Sequence, residues 1–238
     1  LVVGDADENG TVDYDDVLRW NRSANEALFL GNIADLDALS QAIIAGQPDD
    51  MLLALAENVL GKHKVELTFD NGNVRVETYN WDSPITAANF MGYVRSGFYD
   101  QVLGHRAIKE FMIQIGALSY DGLNEEGKIA WSIKPSGTLI VNESSNGLSN
   151  LRGTLSMART KKPDSASTQF FINQVDNTVL DYGSAQNPDG YAVFGRVYSG
   201  MTVVDEIASE PTTAISAAYT AVPARGVVLE SARVLEAP

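Results

Sequence analysis

Cysteine is missing from all 238 residues, which excludes disulfides, thiol nucleophiles and zinc–thiolate sites. Histidine is scarce. His63 and His105 are the two, so a Ser/His/Asp triad would need one of them, and neither sits in a supporting motif. A Gly-rich phosphate loop, an HExxH pair and a nucleophile elbow are also absent. No apolar run approaches the roughly 20 residues that a membrane span needs. No basic stretch followed by an apolar run is found near Leu1, so no leader is read within these residues. Basic residues are outnumbered, 17 Lys and Arg against 31 Asp and Glu, and nucleic acid is not expected as a partner because phosphate binding needs a basic face.

The charge is unevenly placed. Residues 1–61 hold 12 acids and two bases, Arg19 and Arg22, for −10, while residues 62–238 hold 19 acids and 15 bases, for −4. The step predicts a boundary near Gly61, with an acidic extension over 1–61 and a larger domain over 62–238. The extension reads as helical: a short helix from Asp15, another over Ala34–Ala45 with Leu36, Leu39, Ile43 and Ile44 at helical spacing, and a third over Met51–Leu60.

Beyond Gly61 the apolar period changes to two. Val65, Leu67 and Phe69 alternate with polar residues, as do Val74 and Val76, and Asn71-Gly72 between them predicts a hairpin turn. Ser83-Pro84 is expected to cap and open a helix running to Gly97. Short strands are expected over Phe111–Ile115, Gly153–Ala158, Gln169–Asn173 and Val193–Val197, a second helix over Met201–Ile207, and a closing strand over Val227–Leu235. Many short strands with two helices predict a mainly β domain, a closed antiparallel barrel. Ser119–Val141 is expected to be a surface excursion.

Six blocks then stand out in order: TAANF (Thr86–Phe90), SGFYD (Ser96–Asp100), GHRAIKEFMIQIGA (Gly104–Ala117), GTLSMART (Gly153–Thr160), STQFFIN (Ser167–Asn173) and GYAVFGRV (Gly190–Val197). Together they resemble the cyclophilin family of peptidyl-prolyl cis/trans isomerases over about 62–238, and most of all its bacterial periplasmic branch. The resemblance implies an eight-stranded barrel capped by two helices, a monomer acting on proline-containing polypeptides without a cofactor, and a periplasmic or secreted location. It implies Arg106, Phe111 and Gln114 as catalytic residues, and Met112, Ala158, Arg159, Phe171, Leu180 and Tyr191 as the substrate groove. Taken alone, apolar strand residues are usually core and a lone arginine is usually a surface ion pair; the collinear blocks reverse that weighting. His105 is read as structural.

The chemistry so implied is rotation about a bond. Amide conjugation holds the barrier at ~18–20 kcal/mol. A catalyst needs a fixed cation aimed at the prolyl nitrogen, an apolar socket for the ring and donors for the carbonyl. Departures from the family pattern are Gly104 for an aromatic, Lys109-Glu110 for Pro-Gly, Ile115 for glycine and Val179 for tryptophan. Ile115 is expected to move Gln114 or narrow the groove, and Glu110 to compete for Arg106.

Ahead of the domain, Asp5, Asp7, Asn9, Gly10, Thr11, Asp13 and Asp16 fall at the positions of a twelve-residue EF-hand loop, which predicts structural calcium. Asp16 at the last position resembles the dockerin version, and Gly31–Asp37 echoes Gly10–Asp16 with Leu28 and Leu30 where ligands would stand. Three functions stay open on the sequence: an active isomerase, a proline-peptide binding module of low turnover, and a dockerin-like, calcium-dependent assembly protein.

Overall fold

The computed structural model describes residues 62–235. The extension over 1–61, with its expected helices and calcium loop, lies outside them.

Alternation makes β1 (Lys64–Phe69) and β2 (Gly72–Thr78) a hairpin that buries Val65, Leu67, Phe69, Val74 and Val76. On the other face Glu66 stands opposite Arg75 and pairs with it at 2.8 Å. Phe69 pairs with Gly72, so Asp70 and Asn71 make the turn, one residue earlier than expected. Gly72 instead opens β2 at φ +144°, where a Cβ would come within 2.9 Å of Val203 Cγ2.

Helix α1 (Pro84–Arg95) buries Ile85, Phe90, Met91 and Val94. Its cap differs from the expected one. Ser83 Oγ donates to Val193 O at 2.6 Å, and the free N–H groups of Ile85 and Thr86 are taken by the buried Glu143 carboxylate at 3.1 and 2.7 Å.

The strands that follow are β3 (Val102–Leu103), β4 (Arg106–Ile108), β5 (Met112–Ile115), β6 (Leu118–Leu123), β7 (Ile129–Ile133), β8 (Thr154–Met157), β9 (Phe170–Asn173) and β10 (Val193–Ser199). Helix α2 (Met201–Ser209), β11 (Thr212–Thr213), β12 (Val222–Pro223) and β13 (Val228–Leu235) complete the elements of the described residues. The expected elements recur within one or two residues, but the excursion over Ser119–Val141 contains an ordered hairpin, β6–β7.

The closed barrel requires correction. Among the described residues the main sheet has eleven strands in the open order β4-β5-β9-β8-β10-β2-β1-β13-β3-β6-β7, and no ladder joins its ends. The physical reason is a break in one strand. β3 pairs with β13 and β4 with β5, and the two are joined only by the chain at Gly104-His105. The β6–β7 hairpin then adds to β3 instead of letting the sheet end there. β11 and β12 form a separate two-stranded ladder.

Phe90 of α1, Tyr99, Phe170 of β9 and Phe194 of β10 form the centre of the core, with rings 5.2–5.5 Å apart, and Tyr99 Oη donates to Thr168 O at 2.9 Å. Among the described residues no helix is long and apolar enough to cross a membrane.

Candidate active site

Strand alternation divides β5 between two surroundings. Ile113 and Ile115 face the main core, whereas Met112 and Gln114 face a cleft of about 450 Å³. β9 divides the same way: Phe170 and Ile172 enter the core, and Phe171 turns to the cleft. Register aligns the cleft-facing set, because Arg106 stands opposite Gln114, and Gln114 opposite Phe171.

All nine residues expected to act on substrate line this one cleft: Arg106, Phe111, Met112, Gln114, Ala158, Arg159, Phe171, Leu180 and Tyr191. Met112, Phe171 and Leu180 are buried as one apolar cluster, with Phe111, Ala158 and Tyr191 packed around it. The Phe171 and Tyr191 rings meet edge to face at 5.7 Å. Arg159 lies over Tyr191 at 4.5 Å and is fixed by its Nε donating to Gly190 O at 2.8 Å.

Arg106 reaches the cleft from β4. Its guanidinium lies 5.6 Å from the Phe111 ring centre, and Nη1 donates to Gln114 Oε1 at 3.4 Å. Gln114 Nε2 in turn donates to Gln169 Oε1 at 3.0 Å, so the cation ends a chain of oriented amides. Burial against the cleft walls lowers the pKa of Arg106 from its ordinary value, and Tyr191 opposes this. Among the described residues Arg106 has no carboxylate partner. Glu110, expected to compete for it, uses its backbone N–H on Gln174 Oε1 at 2.6 Å, and its φ is +60°. That left-handed backbone is what glycine would adopt freely.

Sequence reasoning missed Gln169, Ala218, Tyr219, Thr220 and Ala221, which also line the cleft. Gln169 was within reach, since it lies two residues before Phe171 and therefore on the same face. The segment 218–221 carries no local signal and arrives only through the fold. His105 is buried, and its ring meets Tyr219 edge to face at 5.6 Å. Burial pushes the His105 pKa down to about 4; hydrogen bonding to Leu103 and Gln169 opposes this and the Arg106 charge adds to it.

Among the described residues no group of three or more His, Asp or Glu is placed to hold a metal ion. The cleft thus offers two oriented cations, Arg106 and Arg159, with two amides and an apolar socket, a set suited to polarising a bound amide rather than breaking it. Residues 64–234 match the family described as Cyclophilin type peptidyl-prolyl cis-trans isomerase/CLD. The chain belongs to the cyclophilin-type peptidyl-prolyl cis-trans isomerases.

Among cyclophilin relatives, a peptidyl-prolyl cis-trans isomerase of Acinetobacter baylyi is 45% identical over 161 residues, covering 68% of this chain and 80% of its own. Peptidyl-prolyl cis-trans isomerase B of Escherichia coli is 41% identical over 168 residues, covering 70% of this chain and 96% of its own. A solved cyclophilin-type isomerase of Cryptosporidium parvum superposes with a TM-score of 0.58 at 22% identity, over 74% of this chain and 99% of that one, which shows a shared fold.

Of the departures from the cyclophilin pattern, none lines the cleft. Ile115 is buried in the core on the opposite face of β5, so it does not narrow the groove as expected. Gly104 lies in the link between β3 and β4, where its N–H bonds Val227 O at 2.9 Å. Val179 is exposed in the short 3-10 turn Thr178–Leu180.

Proposed function

We propose that this cleft turns X-Pro bonds of partly folded proteins, with the prolyl ring among Met112, Phe171 and Leu180 and the Arg106 guanidinium aimed at the prolyl nitrogen. The observation that carries the reading is the tether from Arg106 through Gln114 to Gln169 beside an apolar socket. A donor held there withdraws the nitrogen lone pair from conjugation as the amide twists, and so stabilises the transition state more than the planar ground state. Arg106 keeps its charge throughout, since a guanidinium does not deprotonate in proteins. Gln114 and the Arg159 backbone hold the peptide while the carbonyl rotates.

The test is exchange spectroscopy on an Ala-Pro tetrapeptide, which needs no coupling protease. The uncatalysed bond takes tens to hundreds of seconds to turn. Exchange speeded to the millisecond range by micromolar protein supports an isomerase. Saturable peptide binding without faster exchange would leave the binding-module reading instead.

A separate part of the proposal concerns residues 1–61. The spacing of Asp5, Asp7, Asn9, Thr11, Asp13 and Asp16 supports structural calcium, with the carboxylates and the Thr11 carbonyl as hard oxygen ligands. Calorimetry at millimolar calcium tests it, and no heat of binding would remove both the calcium site and the assembly role built on it. The periplasmic or secreted location belongs to the same reading, and cell fractionation decides it.

A further inference from the structure

The cleft has two apolar walls, and they belong to different packing units. One is the cluster of Met112, Phe171 and Leu180, already assigned to the prolyl ring. The other is Tyr219, which belongs to a cluster with Leu103, Ala117, Leu118 and Val222 that also holds Trp131 of β7. Arg106 and the two glutamines run between them.

The second wall is built to stay in place. Tyr219 is bracketed by two rings, His105 at 5.6 Å and 82° and Trp131 at 5.6 Å and 73°, both edge to face. Its own turn is closed locally: Ser216 Oγ accepts the Ala218 and Tyr219 N–H groups at 3.2 Å each, and Ile215 N donates to Tyr219 O at 2.9 Å. The β11–β12 ladder closes the base of this loop, and Ala107 N donates to Ala221 O at 2.9 Å, which fixes it beside Arg106's own strand. A mobile flap would not need three independent anchors.

The wall is also apolar in character. Its other side chains at the cleft are Ala218, Thr220 and Ala221, small enough to leave room beside the Tyr219 ring. His105 is uncharged at neutral pH, so Arg106 is the only charge at that end among the described cleft residues.

We infer that Tyr219, positioned by Trp131 of the β6–β7 hairpin, forms a second subsite that selects an aromatic side chain flanking the substrate proline. This rests on the proposed reading of the cleft as a prolyl-peptide groove. The hairpin thereby acquires a role in specificity. Trp131 is a positioning residue, since it holds Tyr219 without lining the cleft.

The experiment compares tetrapeptides that differ at one residue flanking proline, each side in turn, carrying Phe, Ala or Glu. Both kcat/KM by exchange spectroscopy and Kd by NMR titration are read. The wild type should favour Phe over Ala about three- to tenfold at one of the two positions, the size of one edge-to-face aromatic contact. Tyr219→Ala should bring that ratio near one. Tyr219→Phe should keep it, and Trp131→Ala should lower it through KM more than kcat, with Trp131→Phe restoring part of it. A Phe/Ala ratio that is the same in the wild type and Tyr219→Ala overturns the subsite, as does a preference for Glu, which would make a cleft arginine, Arg106 or Arg159, the selecting group. If no peptide is turned over, the isomerase reading fails by itself, and the Phe/Ala ratio of Kd values still decides the subsite.

Discussion

Arg106 and Gln114 stand directly opposite each other across the β4–β5 ladder, and the guanidinium donates to the amide oxygen at 3.4 Å. A directly opposed pair of this kind places two long side chains on one sheet face within reach of each other. The pair therefore needs no loop to orient it, and its direction is set by register.

Arg106→Ala should therefore lower kcat/KM by about a hundredfold or more, the scale of losing one preorganised donor. The melting temperature should barely move, because Arg106 is exposed and makes no ion pair among the described residues. Arg106→Lys should fail nearly as badly, since an ammonium lacks the planar fork that meets both Gln114 and a substrate nitrogen. Exchange spectroscopy and a thermal melt check this together, and a lysine variant with full turnover would show that charge alone suffices.

Glu110 holds φ at +60°, a conformation that costs a side-chain-bearing residue about 1–2 kcal/mol. Glycine removes that cost but adds unfolded-chain entropy of about 0.5–1 kcal/mol. Glu110→Gly should then gain stability of about 0.5–1 kcal/mol, seen as a melting temperature higher by a few degrees. A lower melting temperature would mean that the side chain makes up the difference elsewhere.

Glu143 caps α1 from 58 residues away in sequence, with both carboxylate oxygens on backbone N–H groups at 3.1 and 2.7 Å. Hydrogen bonds to a charged group are worth about 1.5–3 kcal/mol. Glu143→Ala should therefore destabilise by about 2–3 kcal/mol in urea titration, and Glu143→Gln, which keeps one acceptor, by less. Ser83→Ala should weaken the Val193 contact without uncapping the helix, the reverse of what the Ser-Pro sequence leads one to expect.

The long alternating segments were legible in the sequence because burial acts on them directly: Val65, Leu67 and Phe69 could only be a half-buried strand. β3 and β4 were not, since two- and three-residue strands carry no period, and their break at Gly104-His105 is what leaves the ladder open. The β6–β7 hairpin was hidden by Asp121, Gly122, Glu125 and Glu126, polar because the strands are an exposed edge. In the cleft, the nine residues came from the family blocks, and counting by twos would have added Gln169 and sent Ile115 to the core. Tyr219 had no such route. It lies 114 residues from His105 in sequence and is brought beside it by the β11–β12 ladder and the bond from Ala107 N to Ala221 O.

His105 gives the pH dependence its sign. It is 3% exposed, and burial holds its pKa at about 4, well below the ordinary 6.5 of the unfolded chain. Between those two values the unfolded state binds a proton at this residue that the native state refuses. Stability therefore rises with pH across the window and is lost as pH falls from about 6.5 towards 4. The full shift corresponds to about 3 kcal/mol, at 1.36 kcal/mol for each pKa unit. His105→Gln has nothing to titrate there. It should flatten the stability profile between pH 6.5 and 4 relative to the wild type, even if its stability at pH 7 is lower. Urea titrations of both proteins at half-unit steps of pH measure the difference. Parallel profiles would mean that another group carries the acid sensitivity, and direct NMR titration of the His105 ring would then find it protonating near 6.5.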